Sequence, residues 1–544
     1  MRVTNAARAV AVPSRASGFA VDFVRGEKNA QTFLPRQASQ WEEEASELAQ
    51  MPRRGPAASL WSRALSTARR LEASSKTLEH LKLLSEGNAL CVATGQQPGI
   101  LLGPLLVLYK TMTAIQLAGR IAARTRRPVV PVFWIAGDDS DYAEISNVYF
   151  PDEEYRLERR GLQASSFPAG GMVGNLPVGT TSAIVQEFRE RWSAAPGGEE
   201  LVRRLEKACA IAKDHGEIHA ALLQEYFGEW GLVVVDGRWP EMRNEARELL
   251  ERWLEERSAV EEDVIRSGEG LERAGYRAQI SEVSASSGLF DTQSGKRLPF
   301  EGDPAALRAR IREEPETLSP NVVMRPLIQD FLLPNVATIA GRAEIAYHAQ
   351  LAPVYERLGV PMPVLVPRRE ATLVPSGVFE LAERRGAQVE DFVFDFDAAM
   401  RATAAAAVPR ALNDSMADLD RAIEEGMRRM SDAAQSMDAK LATFASDAHK
   451  RLRDTLEKFR VRVAEAARDS ERRRDPRLRN YRELLTPFGE PQERVLSSLT
   501  LFLESEGRSL ERFLDFAGKH ADALRERELL HWLSEISNER PAPA

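Results

Sequence analysis

Apolar residues along this chain follow two rhythms, and the changes between them outline its organisation. Asn88–Thr94 (NALCVAT) is a short apolar run ending in Thr94-Gly95-Gln96-Gln97-Pro98-Gly99. Gly103–Ala123 follows with apolar residues at helical spacing: Leu105, Leu108, Met112, Ile115, Leu117 and Ile121. Val129–Ala136 (VVPVFWIA), bounded by Pro128 and Gly137, then reads as a strand. Strand, glycine-containing turn, helix and strand make a βαβ unit. These runs do not alternate, which predicts strands buried on both faces of a parallel sheet. Gly231–Val235, Val336–Ala340 and Pro363–Val366 repeat the pattern between helical stretches such as Pro240–Val264 and Arg342–Leu358. Strands alternating with helices predict an α/β fold with a Rossmann-type, doubly wound parallel sheet over 86–375.

Around that core the pattern changes. Residues 1–85 read as an irregular start followed by charge-rich helices packing on the core. Tyr149–Pro196 (149–196) is rich in Gly, Pro, Ser and Thr and reads as an insertion over the strand ends. Within 275–300, Gly288–Phe300 suggests a β-hairpin turning at Ser294-Gly295. From Ala411, the residues Leu412, Met416, Leu419, Ile423, Met427, Met430, Ala434, Met437, Leu441, Phe444 and Ala448 keep a near-heptad spacing. They predict a coiled-coil arm over 390–480 whose seam is packed. Either the chain folds back on itself or a second subunit supplies the other face. The basic run Glu471–Arg477 reads as a solvated end, and 481–544 as C-terminal helices.

Length and composition narrow the function. A chain of 544 residues exceeds one ordinary core. A formal net charge of -8 argues against a dedicated nucleic-acid binder. The two cysteines, Cys91 and Cys209, read as small apolar side chains, which leaves neither a disulfide framework nor a cysteine metal site. The segment MRVTNAARAVAVPSRASG has basic residues but no apolar core, so it does not read as a secretory signal. No run reaches the roughly 20 apolar residues of a membrane span. A cytoplasmic protein is expected.

Four polar constellations fall at predicted strand ends. In Thr94–Gly99, followed by Gly103-Pro104 at a helix start, glycines allow close backbone approach and the helix offers unpaired N–H groups to an anion. The alternative is a tight turn without a ligand, since neither a Walker A loop nor GxGxxG is present. Gly137-Asp138-Asp139-Ser140-Asp141-Tyr142-Ala143-Glu144 crowds four carboxylates after a buried strand. One or two acids suit a helix N-terminus; four suit an amine, a sugar hydroxyl or a metal ion better. Asn321–Glu344 carries Arg325, Asp330, Asn335 and Glu344 around a strand and runs into Tyr347 and His348. Arg325 can pair with a carboxylate or phosphate, or with Asp330 structurally. His348 reads as a structural histidine, and His80, His215, His219, His449, His520 and His531 share no ligand spacing. Lastly, Arg368 and Arg369 close the last strand, facing phosphate or simply solvent.

Taken together, these stretches resemble the BshC family, the cysteine-adding enzymes of bacillithiol biosynthesis. The matching segments are ATGQQPGILLGPLLVLYKTMTAIQLA (93–118), VPVFWIAGDDSDYAEIS (130–146), 321–355, PMPVLVPR (361–368) and PFGEPQERV (487–495), in family order. The resemblance implies a core akin to class I aminoacyl-tRNA synthetases and a coiled-coil arm that forms a homodimer. It also implies ligation of the L-cysteine carboxyl group to the amine of glucosaminyl-malate. A carboxylate is a poor acyl donor, so ATP, with Mg2+, is the expected activator. On this reading Asp139, Asp141 and Glu144 are the catalytic carboxylates. Substrate would be held by Thr94, Gln96, Gln97, Asp138, Ser140, Asn147, Arg325, Asn335, Glu344 and Tyr347. The nucleotide would meet Gly95, Gly99, Gly103 and Arg368. No protein metal ligand, nucleic acid or membrane is expected.

The sequence departs from the family at one motif. Where relatives carry GEDHD and E-V-N-H, this chain has Ser140 and Asn147 in place of both histidines, and Gly341-Arg342-Ala343-Glu344 replaces Gly-Pro-Gly-Glu. Neutral imidazole exchanges protons near pH 7, whereas serine and asparagine do not. This keeps open a ligase for another amino acid, or a non-catalytic coiled-coil protein that binds a nucleotide or thiol precursor.

Overall fold

The computed structural model describes residues 2–537 apart from 15, 164–166, 196, 407 and 504–507. Expectations for those positions and for 538–544 lie outside the described residues, as do the side chains of Glu471 and Arg472 in the basic run. All five expected strands form: β1 (Leu90–Gln96), β2 (Val129–Ile135), β3 (Val233–Asp236), β4 (Asn335–Ala340) and β5 (Val364–Pro367). They make one sheet in the order β5-β4-β1-β2-β3, parallel throughout. This is the Rossmann-type order. It reverses direction between β1 and β4, where a crevice opens beyond the carboxyl ends.

Both faces of the sheet are covered. Along β2, Val130, Val132 and Trp134 pack into one core while Phe133 and Ile135 pack into another, as the two-residue strand period requires. Each such fully buried side chain contributes roughly 1.5–3 kcal/mol, so the sheet is well anchored. Four helices frame the crevice: α1 (Leu105–Thr125) after β1, α2 (His215–Phe227) before β3, α3 (Met324–Leu332) before β4 and α4 (Arg342–Arg357) after it. Cys91 is buried in β1, and both cysteines are free thiols.

Several expectations are corrected. The first segment is not simply irregular: Arg2–Ala11 forms a strand that pairs antiparallel with Leu530–Ser537, which in turn pairs parallel with Glu370–Pro375. The C-terminal segment therefore ends in a strand rather than in helix. Its pairing partner lies at the other end of the chain, where no local pattern can announce it. The insertion holds an antiparallel pair, Asn147–Pro151 with Leu157–Gly161, and then the helix Val178–Trp192. The hairpin at Leu289–Asp291 and Leu298–Pro299 is present, with Gly295 at φ 76° and a third strand, Leu318–Pro320, alongside.

The arm folds back on itself. Helices α5 (Arg410–Met437) and α6 (Ala439–Arg474) are separated by Asp438, whose extended φ/ψ of -161°/132° breaks the helix. Asp420 pairs with Arg460 at 3.0 Å and Glu424 with His449 at 3.0 Å, so the two helices run antiparallel. Val408, Met416 and Leu456 form its small core with Leu412, Ile423 and Val463. Toward the turn the seam is not packed: Met430, Met437, Leu441 and Phe444 are 60%, 81%, 45% and 70% exposed. Among the described residues, no helix is long and apolar enough to cross a membrane.

Candidate active site

A cleft of about 260 Å³ lies at the carboxyl ends of the strands flanking the switch point. β1 and its turn supply Gly95, Gln96 and Gln97, and the segment after β2 supplies Asp139 and Glu144. α3 contributes Arg325, α4 contributes Glu344, Tyr347 and His348, and Arg368 follows β5. Three of the four constellations thus contribute directly, and the fourth does so through Arg368 alone.

The carboxylates divide into distinct roles. Asp139 Oδ2 lies 3.2 Å from Arg325 Nη2, Asp139 Oδ1 lies 3.8 Å from Arg297 Nη1, and Oδ1 accepts the Ser140 N–H at 2.7 Å. Burial pushes this carboxyl up, but the two guanidinium groups override it and hold it at about 2. Glu144 accepts from Gln96 Nε2 at 3.0 Å, and here burial and the neighbouring Asp141 raise the pKa. Asp141 itself is exposed, caps the short helix Tyr142–Ile145 through the Glu144 N–H at 3.3 Å, and does not line the cleft. Asp138 is buried below, where its Oδ2 accepts the Ser319 hydroxyl at 2.7 Å.

Other expected ligand contacts are structural. Thr94 donates to the Ile339 carbonyl at 3.0 Å, tying β1 to β4. Asn335 accepts the Ala93 N–H at 3.1 Å and donates to Asp330 at 2.7 Å, locking the same strand pair. Asn147 accepts from Arg159 Nε at 2.5 Å and donates to Ser146 Oγ at 2.7 Å. Ser140 and Asn147, where this chain departs from the family motif, both stand outside the cleft wall.

The glycine turn also differs from expectation. Gly99 and Gly103 do not line the cleft. A Cβ on Gly99 would lie 2.6 Å from Gly103 Cα, so the glycine serves the turn's own packing. A Cβ on Gly95 would meet the Trp134 carbonyl at 2.6 Å, so that glycine lets β1 approach β2. At the N-terminus of α1 the Leu105 N–H already donates to Leu496 O at 2.8 Å, and Ser498 Oγ donates to Pro104 O at 2.8 Å. Behind the turn, His215 Nε2 donates to Pro98 O at 2.6 Å and Nδ1 receives the Thr181 hydroxyl at 2.9 Å. Burial lowers this histidine to about 4, so it is neutral.

Sequence reasoning missed several cleft residues. Lys110 is buried within α1, and its Nζ donates to Gly95 O at 2.8 Å, Gln96 Oε1 at 2.9 Å and Glu344 Oε1 at 2.8 Å. Burial lowers its pKa and Glu344 opposes that. A lone lysine inside LLVLYKTMTAIQLA was the available signal, because a charge amid apolar residues needs a buried counterion. Glu344 also caps α4 by accepting the Gly341 N–H at 2.6 Å. Arg368 Nη2 pairs with Glu493 at 2.5 Å, and Arg494 next to it reaches the cleft. Arg297, which does not itself line the cleft, reaches Asp139 from the hairpin. Its contacts are long-range, so no local pattern marks it. The first turn of α4 brings Gly341 and Ala343 into the cleft wall, and the first turn of α1 brings Leu106.

Comparison with known families agrees with this architecture. Residues 6–369 match the model described as "Bacillithiol biosynthesis BshC, N-terminal Rossmann-like domain", and residues 371–521 match its C-terminal coiled-coil domain. A relative from Koribacter versatilis is 31% identical over 396 residues, covering 70% of this chain and 73% of the relative. One from Heliobacterium modesticaldum is 29% identical over 474 residues, covering 81% and 84%. One from Natranaerobius thermophilus is 27% identical over 384 residues, covering 68% and 70%. All three are named "Putative cysteine ligase BshC". With both of its halves matched in order, the chain belongs to the BshC family of bacillithiol biosynthesis.

Proposed function

We propose that this protein is an amide-forming ligase that joins the carboxyl group of L-cysteine to the amine of glucosaminyl-malate, with ATP activating the carboxyl group. The observation that carries this reading is a pair of cleft carboxylates whose environments push them apart. Asp139 is fixed as an anion between Arg325 and Arg297, whereas Glu144 is held less acidic. Such a division suits one group for anchoring and the other for proton transfer. Glu144 accepts the proton that the attacking amine sheds; Asp139 orients Arg325, which faces the carboxyl group. The first turn of α4 and Arg368, whose Nε lies 3.6 Å from where a Gly341 Cβ would stand, support placing phosphates there rather than at α1. Mg2+ would arrive with the nucleotide.

The two free cysteines suit a reducing compartment, and we place the reaction in the cytoplasm. The exposed seam of α5 and α6 supports a homodimer through the arm. The function is tested with purified protein, L-cysteine, glucosaminyl-malate and Mg-ATP, with product read by mass spectrometry. Product that is lost in Glu144→Gln bears the reading out. No product from folded protein that binds both substrates would sink it in favour of another amino acid or a binding role.

A further inference from the structure

Two orphaned acceptors stand in the wall of the cleft, and their polarity is fixed from behind. His348 is 3% exposed, and its Nδ1 lies 2.8 Å from the Glu344 carbonyl oxygen. A carbonyl only accepts, so Nδ1 carries the hydrogen and Nε2 carries the lone pair. Nε2 has no hydrogen-bond partner among the described residues. Gln97 is 7% exposed, and its side chain faces the Asp139 carboxylate. A carboxylate held ionised accepts only, so the amide nitrogen of Gln97 faces it and Oε1 points elsewhere. Oε1 too has no partner among the described residues.

Buried acceptors without donors are uncommon and costly, and a site that keeps two of them in one cleft is built for a ligand that supplies N–H groups. Two donors on residues of the wall are also without partners: the indole N–H of Trp134, which lies 3.2 Å from the position of a Gly237 Cβ, beside Asp138, and Nε of Arg325, on the guanidinium that pairs with Asp139. We propose that Gln97 Oε1 and His348 Nε2 form the subsite for a primary amine of the substrate. The groups around His348 agree with this. Burial lowers its pKa, Asp330 and Glu344 act against that, Lys110 reinforces it, and the rings of Tyr347 and Tyr355 lie 4.6 and 6.5 Å away. The ring is therefore neutral, and an acceptor, at neutral pH, where an alkylamine is protonated. The Asp139, Glu144 and Glu344 carboxylates share the wall with Lys110, Arg325, Arg368 and Arg494; Asp139 and Glu344 are already paired to Arg325 and Lys110, while Glu144 accepts from the neutral Gln96.

The subsite deepens the ligase reading and rests on it for which amine is bound: the amino sugar's or the amino acid's. Titration calorimetry on the full chain with glucosamine, N-acetylglucosamine, L-cysteine and N-acetyl-L-cysteine separates these. At least one free amine binds tenfold or more tightly than its acetylated form, and the one that does identifies the source. That preference falls at least tenfold in Gln97→Leu and in His348→Phe; if His348→Phe does not fold, Gln97→Leu alone decides. Equal binding of free and acetylated forms, no binding of either amine, or an unchanged preference in a folded variant overturns the subsite. Amine-selective binding in a protein that makes no amide product leaves the subsite standing and sinks only the ligase reading.

Discussion

The Lys110 ammonium, buried in the middle of α1, lies 2.7 Å from the Glu344 carboxylate in the first turn of α4. The lysine side chain is 2% exposed and the glutamate 30%, so the two ends of the pair are unequal. Removing the anion strands a charge in the interior, which costs roughly 3–5 kcal/mol. Removing the cation leaves a carboxylate that water still reaches. Glu344→Gln is therefore expected to destabilise more than Lys110→Met in urea unfolding. In Glu344→Gln the folded lysine has its pKa below the unfolded value, so the unfolded state binds more protons and stability rises with pH toward 10.5. Equal losses in the two variants, or a flat pH dependence, would count against this account.

Asp139 carries a second pH signature. Its folded pKa of about 2 lies below the ordinary 3.8, so its contribution is present above pH 4 and is lost as pH falls toward 2. The difference between wild type and Asp139→Asn is expected to be on the order of 2 kcal/mol at pH 6 and clearly smaller at pH 3. A gap that stays constant across that range would show that the arginines do not hold the carboxyl as described.

The acidic loop should separate by geometry rather than by sequence position. Glu144→Gln, within the cleft, is expected to lower ligation by about 100-fold or more. Asp141→Asn removes only a cap on a four-residue helix and should change the rate by a few fold at most. A larger loss from Asp141→Asn in steady-state rates would return the base to that residue.

At the arm, Met437→Glu combined with Phe444→Glu places charge on exposed apolar positions. Folding stability should change by roughly 0.5 kcal/mol or less per site. Sedimentation should show a dimer for wild type and a monomer for the double variant. A wild-type monomer at micromolar concentration, or a variant that remains dimeric, would remove the tip as an interface.

Much of the core could be read from the chain because its signals are local. VVPVFWI is a strand in any context that buries both faces, and the break from Gly95 to Gly103 must turn. The acidic run after β2 and the α4 segment could be read as site components because they follow strands directly. The role of each acid could not. Asp138, Asp139, Asp141 and Glu144 look alike in sequence, yet one meets Ser319, one caps a helix, and of the two in the cleft one meets two arginines and the other Gln96.

The sequence by itself determined the Rossmann-type sheet, the coiled-coil arm and the family, since each rests on periodicity or on long stretches of ordered motif. Tertiary structure alone decided what each helix terminus brings to the cleft. α1 and α4 both begin at strand ends with glycine nearby, but Leu496 takes the first N–H of α1, whose first turn offers the cleft Leu106, whereas α4 brings Gly341 and Ala343 into the wall. It also decided that Lys110 belongs with Glu344, that the arm folds back at Asp438, and that the two chain ends share a sheet. Those outcomes depend on contacts between residues tens to hundreds of positions apart. Their energy comes from burial and from pairing across the fold, which no local window of sequence contains.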